Sequence, residues 1–363
     1  MAKLELVGLY KRFGAQEAVK NLTLVVEDGK MACLLGPSGC GKTTTLRMVA
    51  GLEKPDSGDI YIGGKRVNDL PPYERNISMV FQFYAIYPGM TVYDNLAFPL
   101  KQKKIPKDEI DRRVKEIAEI LRINHILKED AIRLPAGEKQ RIALGRALIK
   151  EPEILLLDEP LTNLDARLRA VMRKEIKRLH LKLKTTTLYV THDQIEAMTM
   201  ADVIGVMNLG VLQQYGPPHE LYNKPANMFV AGFLGTPPMN FLDFSYIVNG
   251  KKYFDFGEFK ITDPELLNML PSTLESNELV LGIRPKDVII SFNTEESDSY
   301  GWEIKVVEPV GDKYIVFMSL GDKSIRVVVP AIERGIEVGK KVGIRFRKET
   351  IHIFDRKTGN AIL

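Results

Sequence analysis

The amino-acid sequence predicts an α/β protein in which a parallel β-sheet flanked by helices is followed by a separate all-β domain. Four short apolar runs, "MACLL", "ISMVF", "EILLL" and "TTTLYVT", show the continuous hydrophobicity that is typical of strands buried in a parallel sheet. Segments with helical periodicity lie between these runs. After about residue 235 the pattern changes to alternating valine- and isoleucine-rich segments, such as "SIRVVVP", separated by turns that contain glycine.

Length, composition and charge limit the functions to consider. The chain has 363 residues, of which 45% are hydrophobic and 27% are charged, as expected for a globular protein of about two domains. The net charge of +4 is nearly balanced and gives no support for nucleic-acid binding. No apolar run approaches the ~20 residues of a membrane span, and Lys3 and Glu5 interrupt the region where a secretion signal would be apolar. We expect a cytoplasmic protein whose two cysteines, Cys33 and Cys40, are reduced thiols.

Each apolar run is followed by a residue suited to phosphate or metal chemistry. "MACLL" leads into the glycine-rich segment "GPSGCGKTT", "ISMVF" into Gln82, "EILLL" into Asp158, and "TTTLYVT" into His192. Ligands of open α/β sheets bind at the carboxyl ends of the strands. One such run alone would indicate only a buried core strand, but four runs with these endings predict one shared ligand site.

The segment "GPSGCGKT" fits the phosphate-loop pattern G-x-x-x-x-G-K-[ST] and stands between a predicted strand and a predicted helix. Glycines allow successive backbone N–H groups to face phosphate oxygens, Lys42 can reach the β- and γ-phosphates, and Thr43 can bind Mg²⁺. The alternative, a glycine turn with an incidental Lys-Thr pair, is disfavoured by the flanking strand and helix. The predicted nucleotide-binding residues of this loop are Gly36, Pro37, Ser38, Gly39, Cys40, Gly41, Lys42, Thr43 and Thr44.

The run "LLLDEP" supplies two carboxylates at the end of a strand. Phosphoryl transfer needs a metal ion and a group that orients the nucleophile, so Asp158 is suited to hold Mg²⁺ and Glu159 to polarise the attacking water. An Asp-Glu pair by itself would more often be a solvated turn. Its combination with a phosphate loop predicts a centre that hydrolyses a nucleotide.

Helical periodicity between the second and third apolar runs predicts an inserted helical subdomain, at about residues 86–152. In "PKDEIDRRVKEIAEILRI" an apolar stripe lies among paired charges. This stripe consists of Ile110, Val114, Ile117 and Leu121. The first domain then extends over residues 1–235, and the proline-marked linker "GTPPMNFLD" leads to a second domain, residues 236–363, which we expect to be a small β-barrel.

Together these motifs resemble the ATPase subunits of ABC transporters over almost the full length of the chain. The resemblance implies a P-loop NTPase core that binds ATP and Mg²⁺. Phe13, in "YKRFG", would stack on adenine, although an aromatic side chain at a strand edge is the alternative. Gln82 would sense Mg²⁺ and contact the membrane partner. Asp165, in "TNLDA", would be the D-loop aspartate, and His192 would contact the γ-phosphate.

Beyond residue 200, "LYNKPANMFVAGFLGTPPMNFL", "LGIRPKDV" and "IHIFDRKTGNAI" are similar to the OB-fold-like regulatory domain of maltose- and glycerol-phosphate-type importer subunits. The similarity implies import of a sugar or related solute through membrane permease subunits, supplied by an extracytoplasmic solute-binding protein. The chain would then lie peripherally at the cytoplasmic face of the membrane. Sulfate, polyamine and ferric-iron importers share related tails, so these solutes stay open. Regulation and passive dimerisation are both open roles for this domain.

The segment "LPAGE" stands where the family usually has its signature, L-S-G-G-Q. In this family two ATPase subunits close head to tail, so the segment would serve the ATP bound by the partner. Pro135 lacks the serine hydroxyl and Ala136 adds a methyl group. Glu138 brings a negative charge near the nucleotide, whereas Gly137 is retained. Because proline is tolerated in the first turn of a helix, we expect the helix to form and ATP hydrolysis to be impaired. Gly145, in place of the usual alanine, should weaken this helix by up to about 1 kcal/mol.

The contrast between an intact phosphate site and an altered signature suggests an unequal partner. We hypothesise a second, non-identical ATPase subunit whose signature completes this chain's site, which leaves one competent and one weak site per dimer. A homodimer that tolerates the variant is the alternative. A soluble ABC protein of DNA repair or translation is disfavoured, because the sequence has one cassette and neither a heptad arm nor a cysteine cluster. A subunit that binds ATP without hydrolysing it is disfavoured by Glu159 and His192.

Overall fold

A computed structural model describes residues 2–249, 251–270, 277–293, 299–333 and 335–363. The chain forms two compact units, the first ending at Pro218 and the second beginning at His219. The boundary predicted after residue 235 therefore lies inside the second unit. Arg284 explains this grouping, because its guanidinium donates hydrogen bonds to the carbonyls of Tyr222 at 2.5 Å and Leu234 at 2.6 Å. These bonds attach the linking segment to the C-terminal domain.

An antiparallel sheet opens the first unit. Its strands are β1 (Leu4–Phe13), β2 (Gln16–Val26), β4 (Ser57–Ile62) and β5 (Lys65–Arg66). The strand order is β2-β1-β4-β5. Bulges between β1 and β2 interrupt the alternation of buried and exposed side chains that marks a strand, so the sequence pattern did not predict this sheet.

The second sheet of this unit has six strands and carries the predicted parallel architecture. Its strands are β3 (Met31–Leu35), β6 (Ile77–Val80), β7 (Ile154–Asp158), β8 (Thr186–Thr191), β9 (Val203–Asn208) and β10 (Val211–Gly216). The order is β10-β9-β3-β8-β7-β6, with every neighbouring pair parallel except β10 with β9. The four predicted apolar runs are the consecutive neighbours β3, β8, β7 and β6, so the prediction that their carboxyl ends share one edge is confirmed.

Helices surround this sheet and form the inserted helical segment. They are α1 (Lys42–Ala50), α2 (Val92–Gln102), α3 (Lys107–Ile120), α4 (Ala136–Leu148), α5 (Ala166–Leu183) and α6 (Gln194–Met200). The predicted stripe on α3 is buried, with Ile110, Val114 and Ile117 all at or below 6% exposure. Gly145 of α4 lies under two leucines: a Cβ there would come within 2.7 Å of methyl carbons of Leu96 and Leu121. The glycine thus allows α4 to pack closely against α2 and the end of α3.

The second unit begins with short helices and continues as an all-β domain. The helices of this unit are α7 (Pro218–Asn223), α8 (Met228–Phe233) and α9 (Pro264–Met269). Two five-stranded antiparallel sheets follow, in the orders β13-β12-β11-β14-β20 and β15-β19-β16-β17-β18. Their strands are β11 (Asn240–Asn249), β12 (Lys251–Asp255), β13 (Lys260–Ile261), β14 (Glu278–Ile283), β15 (Val288–Ser291), β16 (Ser299–Val310), β17 (Lys313–Leu320), β18 (Lys323–Pro330), β19 (Lys341–Phe346) and β20 (His352–Asp355).

Both sheets contribute to one apolar core around the fully buried Trp302. The predicted all-β class of the C-terminal domain is confirmed, whereas α9 was not predicted. Among the residues that the structure describes, no helix has the length and apolar character needed to cross a lipid bilayer.

Candidate functional site

The loop between β3 and α1 has the tight backbone that phosphate binding requires. A Cβ at Gly36 would lie 2.3 Å from the carbonyl oxygen of Met207, and one at Gly41 would lie 2.2 Å from that of Ala18. Gly41 also has φ of 104°, which L side chains rarely adopt. Only glycine fits at these two positions. Backbone N–H groups of such a loop, together with the N-terminus of α1, form an anion-binding concavity.

Lys42 is only 4% exposed, and its ammonium group lies within this loop. Nζ donates hydrogen bonds to the carbonyl oxygens of Gly36 and Pro37, both at 2.9 Å. The loop therefore holds the positive charge at its own centre. A phosphate that enters the cradle would meet the ammonium group directly, so the residues present fit a nucleotide phosphate.

Thr43 and Asp158 bring two oxygen ligands together at the edge of the sheet. The Thr43 hydroxyl donates to Oδ1 of Asp158 at 3.1 Å, across from β7. Burial raises the pKa of the Asp158 carboxyl, although its bond to Thr43 opposes this rise. A cation bound beside a desolvated carboxylate restores its preference for the charged form. The described residues hold no cluster of three or more His, Cys, Asp or Glu side chains that could bind a metal ion.

Glu159 and His192 meet although they follow different strands. Oε2 of Glu159 lies 3.0 Å from Nδ1 of His192 and accepts a hydrogen bond from the Thr162 hydroxyl at 3.1 Å. The backbone of Glu159 is strained, with φ of 44°, and its N–H donates to the carbonyl of Val190 in β8. This backbone bond holds Glu159 beside β8, the strand that His192 follows.

Two further predicted residues lie in loops that contact each other. Gln82 follows β6, and its backbone carbonyl accepts a hydrogen bond from Nδ2 of Asn163 at 3.0 Å. Asp165 caps α5 by accepting a hydrogen bond from the backbone N–H of Leu168 at 2.9 Å. In this structure the Asp165 carboxylate therefore serves the helix, and its predicted role as the D-loop aspartate stays a prediction.

Phe13 ends β1 and is 47% exposed, with Nζ of Lys11 5.2 Å from its ring centre. The hairpin that it belongs to continues into β2, whose Ala18 carbonyl packs against Gly41 of the phosphate loop. An exposed ring on a hairpin that contacts the loop is suited to stack on a flat base.

The variant signature begins helix α4 as the sequence analysis expected. Pro135 is the N-cap residue and gives no side-chain cap, and α4 starts at Ala136. Gly137 is buried against α5: a Cβ there would lie 3.0 Å from a methyl carbon of Leu168. Glu138 lies in the first turn, where a carboxylate is favoured by the helix dipole. The helix is intact, so the changes from L-S-G-G-Q alter the side chains at its N-terminus and not the helix itself.

Comparison with known proteins identifies the family. Residues 19–162 match the family described as ABC transporter, and residues 281–354 match the TOBE domain. The trehalose/maltose import ATP-binding protein MalK of Thermococcus litoralis is 48% identical to this chain, over 100% of both. This chain belongs to the ATP-binding subunits of ABC transporters. As a member of this family it binds ATP and couples ATP hydrolysis to transport, which confirms the resemblance and the enzyme class predicted from the sequence.

Other members of the family show the same extent of similarity. The sn-glycerol-3-phosphate import ATP-binding protein UgpC 1 of Rhizobium etli is 42% identical over 99% of this chain and 98% of that protein. A solved structure of cbiO1 from Clostridium perfringens, described as part of the ABC transporter complex cbiONQ, aligns with a TM-score of 0.56 and 28% identity. That alignment covers 60% of this chain and 89% of cbiO1.

Sequence reasoning missed the side chains that hold the loops of this ABC subunit in place. Thr162 and Asn163 lie between predicted residues, and their contacts with Glu159 and Gln82 appear only in three dimensions. Asp193 could have been predicted from the sequence, because an aspartate directly before a helix is a preferred N-cap. Its carboxylate accepts hydrogen bonds from two backbone N–H groups of α6.

Proposed function

We propose that this chain hydrolyses MgATP to drive the import of a sugar or a related small solute. Support comes from one arrangement above all. Glu159 and His192 directly follow two adjacent strands of one sheet and lie 3.0 Å apart, and Asp158, the residue before Glu159, accepts a hydrogen bond from Thr43. A group that orients water thus lies next to a group of oxygens suited to a metal ion. Full-length similarity to proteins named for trehalose/maltose and glycerol-3-phosphate import favours this solute class.

In the proposed mechanism the phosphate loop binds the nucleotide phosphates and Glu159 activates the attacking water. Backbone N–H groups of the loop and the ammonium group of Lys42 hold the β- and γ-phosphates. Thr43, Asp158 and Gln82 would hold Mg²⁺, which neutralises charge on the phosphate oxygens when bound. Glu159 orients the attacking water, and His192 supports that carboxylate and faces the γ-phosphate.

A groove beside the Gln82 loop is the proposed docking surface for the permease. It is a broad groove that is open to solvent. Its lining includes the apolar side chains of Leu52, Met79, Phe81, Tyr87 and Phe98, with basic groups at Lys103, Arg146 and Lys150. Nearby, Tyr73 and Phe83 are 84% and 79% exposed. Exposed apolar surface of this kind marks a protein contact, and the basic side chains in the lining favour a permease segment that carries acidic residues.

The remaining partners are also part of this proposal. A second ATPase subunit closes against the chain head to tail, and a solute-binding protein outside the membrane delivers the solute to the permease. The chain then lies at the cytoplasmic face of the membrane. Polyamine, sulfate and ferric iron are the alternative solutes, and regulation and passive dimerisation are the alternative roles of the C-terminal domain.

A second candidate function is favoured by the signature itself. Pro135 offers no hydroxyl donor, and Glu138 adds a carboxylate to the first turn of α4. Losing a charge-assisted hydrogen bond costs roughly 1.5–3 kcal/mol. The chain would then be the member of an unequal ATPase pair whose signature serves its partner poorly.

Co-purification from membranes of the source cell tests the proposal. The tagged full-length chain should bring down a permease. In proteoliposomes supplied with the solute-binding protein outside, this complex should import labelled maltose, trehalose or glycerol-3-phosphate only with ATP inside. The Glu159→Gln chain should assemble with the same permease but import nothing. Recovery of a different ATPase subunit would establish the unequal pair. Import of polyamine, sulfate or ferric iron without sugar uptake would refute the proposed solute class.

A further inference from the structure

The first turn of α5 lies between two loops of the hydrolytic site. The D-loop, residues 162–165, leads into the helix, and Asp165 caps it. The turn that carries His192, residues 191–193, begins at the last residue of β8 and leads into α6. Arg169 stands one turn into α5, and its side chain is 30% exposed.

The guanidinium of Arg169 bridges these two loops. Nη2 donates a hydrogen bond to the carbonyl oxygen of Leu164 at 3.1 Å. Nη1 lies 3.4 Å from Oδ2 of Asp193, whose side chain is 18% exposed. A guanidinium is planar and presents its donors in a rigid fork, so it fixes the relative position of two acceptors in a way that a flexible ammonium group does not.

Asp193 connects the guanidinium of Arg169 to the backbone next to His192. Oδ1 of Asp193 accepts hydrogen bonds from the N–H groups of Ile195 at 2.7 Å and Glu196 at 3.2 Å, and the Asp193 N–H donates to the Thr191 hydroxyl at 3.0 Å. The same hydroxyl donates at 2.7 Å to the carboxylate of Glu196, which is only 2% exposed. Both neighbours of His192 are thereby held, and Arg169 connects them to the D-loop.

We propose that Arg169 is a positioning residue for ATP hydrolysis. Its bridge from the Leu164 carbonyl to the Asp193 carboxylate sets where the turn of His192 stands relative to the loop of Asp165, and so keeps His192 against Glu159. The inference rests on the proposed roles of Glu159 and His192. Arg169 acts through Asp193 and Leu164, so its loss affects the rate of hydrolysis and leaves the phosphate loop unchanged.

Substitution of Arg169 by glutamine tests the bridge in the full-length chain under single-turnover conditions. We expect the single-turnover rate constant for hydrolysis to fall roughly tenfold to 100-fold, because a displacement of about 1 Å at a reacting group has effects of this order. The dissociation constant for ATP should change by less than about twofold, which is the signature of an interaction that matters only for the chemical step. Arg169→Lys, which keeps the charge without the fork, should recover part of the rate. Arg173→Gln, on the same helix, is the matched control and should behave as wild type.

A double-mutant cycle with Asp193→Asn tests the route of the effect. Asparagine keeps an oxygen that can cap α6 but removes the negative charge, so this variant also carries the test if Arg169→Gln does not fold. Because the two residues act as one unit, the double variant should be no more than about twofold slower than the slower single variant. The inference would be overturned if the two substitutions lowered the hydrolysis rate by independent factors that multiply in the double variant. An unchanged hydrolysis rate in Arg169→Gln, or a loss of ATP affinity parallel to the loss of rate, would also overturn it.

Glu159→Gln separates this inference from the function on which it rests. If Glu159→Gln hydrolyses ATP as fast as wild type, the proposed catalytic function fails. If it abolishes hydrolysis while Arg169→Gln keeps the wild-type rate, only the positioning role of Arg169 fails.

Discussion

Oε2 of Glu159 and Nδ1 of His192 lie 3.0 Å apart although 32 residues separate them in the chain. They come together because β7 and β8 are parallel neighbours, so the residues that follow each strand emerge at the same edge. The Thr162 hydroxyl donates to the same carboxylate oxygen. Glu159 and His192, which were predicted separately from the ends of two strands, therefore lie in one group of side chains.

Glu159→Gln should abolish most hydrolysis without preventing ATP binding. The amide has nearly the same shape as the carboxylate but cannot polarise water, so we expect turnover to fall by about 10²–10⁴. Steady-state phosphate release and equilibrium ATP binding measure the two properties. Glu151→Gln, a substitution of an exposed carboxylate, is the control and should leave both unchanged. Turnover within about twofold of wild type in Glu159→Gln would exclude this role.

Restoring the signature should accelerate hydrolysis in a symmetric dimer. Pro135→Ser, Ala136→Gly and Glu138→Gln together return a hydroxyl donor to the start of α4 and remove a negative charge. A donor used mainly in the transition state changes the rate by roughly 10²–10³, so we expect turnover of the purified chain to rise by about that factor. Ile132→Ser, an exposed position in the same stretch, is the control. A wild-type chain that already hydrolyses ATP rapidly, with no gain on restoration, would favour a homodimer that tolerates the variant.

Gly145→Ala should destabilise the protein, although helix propensity alone predicts the opposite. Alanine is favoured over glycine in a helix by about 1 kcal/mol, but its Cβ would come within 2.7 Å of methyl carbons of Leu96 and Leu121. Both leucines are fully buried, and overpacking of a core costs typically 1–3 kcal/mol. We expect a net loss of about 1 kcal/mol in the free energy of unfolding, measured with urea. In a chain that already carries Leu96→Ala, the added Gly145→Ala substitution should cost less than it does in the wild-type chain, because one of the two contacting leucines is gone. A stabilised Gly145→Ala chain would show that the leucines move aside at little cost.

These cases indicate what the sequence can predict. The four apolar strands, the glycine-rich loop and the acidic residue Asp158 at a strand end were recognisable because each depends on a local pattern. The antiparallel sheet of β1, β2, β4 and β5 was missed because bulges interrupt its alternation. The expectation that Gly145 merely weakens α4 left out Leu96 and Leu121, which precede it by dozens of residues and reach it only through tertiary packing.

Cys40 should react slowly with thiol reagents, and ATP should protect it. The side chain is 2% exposed, and burial raises the pKa of its thiol, an effect that the nearby ammonium group of Lys42 opposes. Because the thiolate is the reactive form, the rate should increase about tenfold per pH unit from pH 7 to pH 9. Mass spectrometry can follow modification of Cys40 with a bulky maleimide, with Cys40→Ser as the control. If saturating ATP leaves the rate unchanged, this loop does not hold the nucleotide.

His352 should make the C-terminal domain less stable in acid. Burial, followed by the charge of Arg284, lowers the pKa of His352 to about 4. In the unfolded chain the pKa of histidine is about 6.5, so between these values the unfolded state binds more protons than the folded state. His352 therefore costs the folded state no stability above about pH 6.5, and the domain loses stability as the pH falls from 6.5 through 4. Trp302, the sole tryptophan and fully buried in this domain, reports its unfolding by urea. The loss between pH 7.5 and pH 4.5 should shrink in His352→Gln and persist in the control His219→Gln; an equal loss in both variants would place the acid sensitivity elsewhere.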